Sequence, residues 1–233
     1  MNILHEDNHL LVVNKAASDI VQGDKTGDTP LSEKAKVYLK EKYNKPGKVY
    51  LGVVHRLDRP TSGALIFAKT DKALSRLNKM IRDREIKKIY WAIVEKLPVK
   101  PEATLINYLK KNPKNNKSYV VSKNAEGALE AILTYKHIAS SDRYHLLEVE
   151  LKTGRHHQIR VQLSNIGSII KGDLKYGAKR SNPDASISLH ARKLKFIHPV
   201  KKEEMTIIAP VPKDELWQFF EKKIISILKT TYF

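Results

Sequence analysis

The 233-residue chain contains no cysteine. That inventory excludes disulfides, thiolate nucleophiles and cysteine-ligated zinc or iron–sulfur sites, so its chemistry must use oxygen and nitrogen groups. Long apolar runs are missing too. No stretch approaches the roughly 20 residues that span a bilayer, and no secretory n-region is followed by an apolar h-region. A cytoplasmic chain with no membrane partner is expected. No internal repeat is evident, and no separate small RNA-binding module is expected before the first strand. Acidic residues are scarce relative to basic ones: 25 Asp and Glu stand against 43 Lys and Arg, a formal charge of +18. Such a charge repels itself in a compact state, so the chain is expected to meet a polyanion, nucleic acid in preference to an anionic membrane surface.

What is present suffices for a packed core. The hydrophobic fraction is 41%, and the length fits one large domain, so a single domain over residues 1–233 and, by default, a monomer are expected. Asn8 to Asn14 reads as a buried strand, and Lys15 to Gly27 as a loop. Thr29-Pro30 reads as N-cap and first residue of a helix carrying Leu31, Ala35, Tyr38 and Leu39 on one side, ended by Lys45-Pro-Gly47. Val49 to Val54 and Ala64 to Lys69 are strand candidates. Thr70 or Asp71 caps a helix with Leu74, Leu77 and Ile81 on one stripe, and Lys88 to Glu95 resumes strand character. Lys110 to Lys117 has no apolar periodicity and is expected to be an exposed basic loop, followed by the β-like Ser118 to Ser122. Ala128 to Lys136 and Tyr144 to Lys152 predict an antiparallel pair. Asp214 to Lys229 predicts an amphipathic helix burying Leu216, Phe219, Phe220 and Ile224.

Two stretches concentrate chemistry. In His55-Arg-Leu-Asp-Arg-Pro-Thr-Ser-Gly63, one carboxylate, Asp58, sits between Arg56 and Arg59 at the mouth of an apolar strand. Nearby positive charge favours its ionised form, that of a nucleophile or base, although a turn-capping or surface-paired aspartate would carry the same spacing. In Leu151 to Leu163, a strand ends at Thr153-Gly154 and a helix follows. Arg155, His156, Gln158 and Arg160 then fall in or near its first turns, where backbone N–H groups favour anions, a surface suited to phosphates and bases. Adjacent His156 and His157 would point to different helix faces, and no ligand pair is spaced for a metal, so no metal site is expected. Thr61, Ser62 and Gly63 read as turn-shaping. Lys69 and Lys88 could meet phosphate, though in so basic a chain the ordinary reading is a solvated surface charge.

The blocks HRLDRPTSG with ALIFAK, KIYWA, LKTGRHHQIRVQL with IGSIIKGDLKYG, and LHARKLKFIHP together resemble the RluA-type pseudouridine synthase family over most of residues 8 to 212. The resemblance implies an α+β fold: a long, mixed, mostly antiparallel, bent sheet with flanking helices and loops and a central cleft. It implies an enzyme that cleaves the glycosidic bond of an RNA uridine, rotates the uracil and rejoins it to the ribose through C5, without cofactor.

By the same resemblance Asp58, Tyr90 and Arg160 are catalytic. Asp58 would attack the sugar carbon or remove the C2′ proton, and both routes remain open. Arg160 would pair with the aspartate and line the uridine pocket. Tyr90 would pack on the uracil, and it is implicated in removing the C5 proton. Arg56 would fill the gap left by the flipped base, an event costing about a few kcal/mol. His55, Arg59, Thr61, Arg155, His156, Gln158 and Leu163 complete the expected substrate-binding set.

The chain departs from the family pattern at three places. Asn14-Lys-Ala-Ala-Ser18 replaces N-K-P-x-G, Gln162 replaces a histidine, and Ile169 replaces a proline. Ribosomal RNA, transfer RNA or both are the expected partners, selected with help from Lys110 to Lys117 and Lys175 to Arg180. Two other readings keep the same residues. One is a non-catalytic RNA-binding or ribosome-assembly protein; the other is a hydrolase of nucleosides or glycosides pairing Asp58 with a second carboxylate such as Asp173.

Overall fold

The computed structural model describes residues 1–23 and 27–231, with side chains through Ile227. In chain order the elements are β1 (Asn2–Glu6), β2 (Leu10–Lys15), α1 (Leu31–Lys42), β3 (Gly52–Val53), β4 (Ser62–Ala68), α2 (Asp71–Arg82), β5 (Lys87–Val94) and β6 (Glu102–Asn112). There follow β7 (Lys117–Val121), β8 (Leu129–Ser140), β9 (His145–Leu151), α3 (Gln158–Asn165), a 3₁₀ turn (Leu174–Tyr176), β10 (Leu189–Ile197), β11 (Glu204–Ile208) and α4 (Glu215–Thr231). The chain divides into two compact units, Met1–Lys87 with Ala191–Pro210, and Lys88–His190 with Val211–Phe233.

In the first unit β2 pairs antiparallel with β1 and β4, β3 with β4, and β11 with β10. Every residue of β4 is buried, which accounts for its unbroken apolar run: both faces of the strand are covered. Its core joins Leu10, Val12, Ala64 and Ile66 to Leu77 of α2 and to Leu194 and Phe196 of β10. Thr70 caps α2 as the sequence predicts, its hydroxyl accepting from the Ala73 N–H at 3.2 Å. The cap of α1 differs. Pro30 takes the N-cap position and makes no side-chain cap bond. The N–H groups of Leu31 and Ser32 instead bond the carbonyls of Ile20 and Val21, so the preceding loop satisfies the helix start. The strand expected over Val49 to Val54 shortens to Gly52–Val53. Of the predicted loop Lys15 to Gly27, residues 24–26 lie outside the described part.

In the second unit the antiparallel order is β5-β9-β8-β6-β7. The predicted β8–β9 pair is present, with Leu147 and Val149 fully buried. The basic stretch at 110–117 is not simply a loop. Lys110, Lys111 and Asn112 end β6 and Lys117 begins β7, so only 113–116 turn. The β-like reading of Ser118 to Ser122 matches β7, whereas lysine patterning hid the end of β6 because its outward face is solvated. Trp217 and Phe220 form the buried stripe of α4, whereas Phe219 is 44% exposed. Leu216 and Ile224 pack against this core as the sequence predicts, so the reading misses Trp217 and misplaces only Phe219.

Candidate active site

In the first unit, the segment between β3 and β4 carries His55, Arg56, Asp58, Arg59 and Thr61. It turns tightly at Asp58, where the Thr61 N–H donates to the Asp58 carbonyl at 3.0 Å. Gly63 follows at φ 118°, and a Cβ there would stand 2.4 Å from the Ala191 carbonyl oxygen, so only glycine fits. Asp58 is half-buried and Arg56 exposed. Arg59 reaches Asp28 in an exposed ion pair. His55 is tied to the strand it precedes, its Nε2 accepting the Ile66 N–H at 3.1 Å, which places its ring proton on Nδ1. Thr61 is buried.

Beneath this turn lies a residue that sequence reasoning passed over. Lys15, at the end of β2, is 1% exposed. Its ammonium donates to the carbonyls of Ala16 and Asp19 at 2.8 Å and of Arg59 at 3.0 Å. Burial pushes it down to about 8, while the charges of Asp19 and Asp58 pull the other way. The cation therefore fixes the backbone just after Asp58 and acts on its charge from within the core. The family block Asn14-Lys was the available signal. A lone lysine in a basic chain gave no reason to place it inside.

The Ser18 departure also belongs here. Ser18 adopts φ 79°, a conformation that suits glycine, and its N–H donates to the same Arg59 carbonyl at 3.0 Å. Lys69 makes no solvated surface charge: its side chain is 7% exposed and pairs with Glu6 at 2.9 Å. Burial pushes Glu6 up, but hydrogen bonds from Lys42, Tyr43, Lys69 and Tyr38 outweigh it and hold the carboxyl at about 2.

In the second unit Tyr90 sits buried in β5, opposite Val149 of β9. Burial pushes the Lys88 ammonium down, and the ammonium lies 3.5 Å from where a Cβ at Gly154 would be. This lysine stands at the turn leading into α3. Gln158 organises that turn. Its Oε1 accepts from the Thr153 hydroxyl at 2.8 Å and the Arg155 N–H at 2.9 Å, and its Nε2 donates to the Ile132 carbonyl at 3.0 Å. Arg155 donates through Nε to the Glu130 carbonyl at 2.9 Å.

The two histidines do not point apart as a helix would make them. His157 precedes the helix at φ 55°, which stacks its ring on His156 with 3.7 Å between centroids. His156 Nδ1 lies 2.8 Å from the Ser118 hydroxyl and His157 Nδ1 2.9 Å from the Tyr176 hydroxyl. Burial first, and then the positive charges of Arg160 and its neighbours, push His157 down to about 2.

Arg160 is 5% exposed and forms a two-point ion pair with Asp173, Nε to Oδ2 at 2.7 Å and Nη2 to Oδ1 at 2.8 Å. The Tyr176 ring packs on its guanidinium at 5.1 Å. Leu163 is fully buried. So is Gln162, whose Nε2 donates to Asn107 Oδ1 at 2.8 Å. Among the described residues no group of three or more His, Asp or Glu side chains could hold a metal ion.

An α+β chain with a carboxylate on a pinned turn and an anchored arginine at a helix start is the class that the fold and these residues define. Residues 9–165 match the profile of the RNA pseudouridylate synthase family. The chain is 36% identical over 219 residues to the uncharacterized RNA pseudouridine synthase YhcT of Bacillus subtilis, covering 92% of this chain and 70% of that one. It is 33% identical over 224 residues to ribosomal large subunit pseudouridine synthase D of Zymomonas mobilis, covering 92% and 70%. In fold it is similar to human RNA pseudouridylate synthase domain containing 4, with a TM-score of 0.77, 23% identity and coverage of 94% and 92%. The chain belongs to the RNA pseudouridylate synthase family, on the RluA-type branch, and is a pseudouridine synthase.

Proposed function

We propose that this enzyme isomerises specific uridines of ribosomal RNA, with transfer RNA as the second candidate substrate, and that Asp58 is the carboxylate that acts on the ribose. The observation that carries the reading is the turn at Asp58, fixed from inside by the buried Lys15 ammonium. Relatives named for the ribosomal large subunit favour ribosomal RNA, and the charge of +18 suits a polyanionic substrate. Both units act as one catalytic domain in a cytoplasmic monomer.

In the proposed reaction the C1′–N1 bond breaks, the uracil turns while bound, and a C1′–C5 bond forms. The C5 proton leaves and N1 gains one, so the step is redox-neutral and needs no cofactor. Positive charge developing on the sugar is answered by the Asp58 carboxylate, as a nucleophile at C1′ or a base at C2′. Arg160 supports the ionised carboxylate and lines the uridine pocket. Tyr90 packs on the uracil; its phenol, ordinarily near a pKa of ~10, suits stacking better than proton abstraction in water. Arg56 takes the space vacated by the flipped uridine, recovering part of the stacking lost.

Unmodified ribosomal and transfer RNA, each carrying tritium at uridine C5, test the reading when incubated separately with the enzyme. Release from one class names the substrate. Release from neither, with tight binding to one, favours a non-catalytic RNA-binding protein on the same fold.

A further inference from the structure

The β6–β7 hairpin is basic, aromatic and built with two unlike faces. Between Glu102 and Val121 it carries Lys110, Lys111, Lys114 and Lys117 against the single acid Glu102 at its far end. Tyr108 stands opposite Val121, Lys110 opposite Tyr119, and Asn112 opposite Lys117. Directly opposed residues of an antiparallel pair share a face, so tyrosines and lysines alternate across one surface. The other face holds Leu109 and Ser118, both buried, and joins Leu109 and Val120 to Val161 and Tyr176 in a small core.

On the outward face Tyr119 is 40% exposed. Lys117 lies 5.4 Å from its ring centroid, and Lys123 lies 5.9 Å from that of Tyr108. A cavity of about 410 Å³, lined by Lys110, Lys111, Asn112, Pro113, Tyr119 and Val121, opens beside that ring.

The hairpin is also held in place. Lys175 donates from the 3₁₀ turn to the carbonyls of Asn115 and Asn116, each at 3.2 Å. The Tyr176 hydroxyl accepts the Ser118 N–H at 2.9 Å and faces the Ser118 carbonyl at 3.2 Å. A clamped tip and a packed inner face leave the outer face little to reorganise on binding.

From this geometry we infer that the outward face of the hairpin docks an unpaired segment of the RNA, with bases stacking on Tyr119 and Tyr108 and phosphates meeting Lys110, Lys114 and Lys117. An open strand pair with aromatic rings takes splayed bases, because every base has a π-face, whereas a duplex keeps its bases stacked away from such a surface. The Lys117 ammonium lies beside the Tyr119 ring and that of Lys123 beside the Tyr108 ring, where the backbone of a stacked nucleotide runs. The inference rests on the RNA reading above, but it concerns a surface that makes substrate affinity and takes no part in the chemical step.

The test measures binding and turnover separately. Fluorescence anisotropy reports the affinity of the wild-type chain, Tyr119→Ala, Tyr119→Phe and Lys110→Gln/Lys114→Gln for an unpaired RNA of about a dozen nucleotides and for the same sequence as a duplex, at several salt concentrations. Tyr119→Ala should weaken the unpaired RNA by about 10-fold or more and the duplex far less, with Tyr119→Phe near wild type. The double lysine variant should flatten the salt dependence of log K by about 1 to 1.5. In tritium release KM should rise and kcat at saturating RNA should hold, with thermal midpoints matched to wild type.

Wild-type affinity and salt dependence in all variants, or equal loss for both RNA forms, would overturn the surface. So would a hairpin whose variants lose only a protein partner. Failure of the isomerase reading looks different: no tritium release from any RNA, while binding of the unpaired strand still depends on Tyr119.

Discussion

The Lys15 ammonium donates to the Arg59 carbonyl at 3.0 Å from a position that is 1% exposed. This places a buried cation directly under the residue that follows Asp58. Lys15→Met would remove the donor shared by the Ala16, Asp19 and Arg59 carbonyls, of which Arg59 keeps the Ser18 N–H, at about 1–3 kcal/mol in all. The expected outcome is a fall in kcat larger than any rise in KM, together with a lower urea midpoint.

The same lysine gives a pH signature. Its folded value of about 8 lies below the ordinary 10.5, so between those pH values the folded chain has shed a proton that the unfolded chain keeps. Stability on its account rises with pH through that window. The cation acting on Asp58 is lost through the same range. A pH profile of kcat should fall above pH about 8, while the thermal midpoint should not fall with it on this account.

Arg160 and Asp173 predict a strong double-mutant coupling. Asp173→Ala leaves a buried guanidinium without its two-point partner and should cost about 3–5 kcal/mol in urea unfolding. Replacing both by apolar residues of similar volume should cost much less, and the difference measures the pair.

His157 predicts acid sensitivity well above the carboxylate range. Its folded value of about 2 lies below the ordinary 6.5, so its contribution is full above pH about 6.5 and is lost steadily as pH falls toward 2, by about 1.4 kcal/mol per pH unit. Burial lowers His145 and His198 as well. Urea unfolding at pH 7 and pH 5 should show a loss that His157→Asn, which tolerates the left-handed backbone, reduces without abolishing.

Ser18→Gly should raise stability by about 0.5–1 kcal/mol. The position already has φ 79°, and glycine removes the Cβ conflict at the expense of extra freedom in the unfolded chain. Thermal unfolding of the two chains checks it.

Local signals explain what was legible. The alternation of Leu147 and Val149 announced β9, Thr70 announced the start of α2, and the apolar run from Ala64 announced β4. The β6 arm of the hairpin was hidden because Lys110 and Lys111 end a strand whose outward face lies in water. β10 went unread because basic residues interrupt its apolar positions. At the candidate site the motifs pointed to Asp58, Tyr90 and Arg160, the residues proposed to be catalytic. They could not show that Lys15 lies under the Asp58 turn, that Gln158 spends its amide on the backbone, or that Arg160 meets Asp173. The contacts of Lys15 with Arg59 and of Gln158 with Ile132 join residues distant in sequence, and a left-handed His157, which sets the entry to α3, leaves no periodic trace.

The central claim is that Asp58 acts on the ribose, and the most direct measurement is single-turnover tritium release from C5-labelled substrate RNA by the wild type and Asp58→Asn, with RNA affinity measured on the same preparations. The account predicts release near one equivalent per modified uridine for the wild type and none for Asp58→Asn, with affinities within about threefold. Release by Asp58→Asn at a comparable rate would contradict it and move the chemistry to another residue.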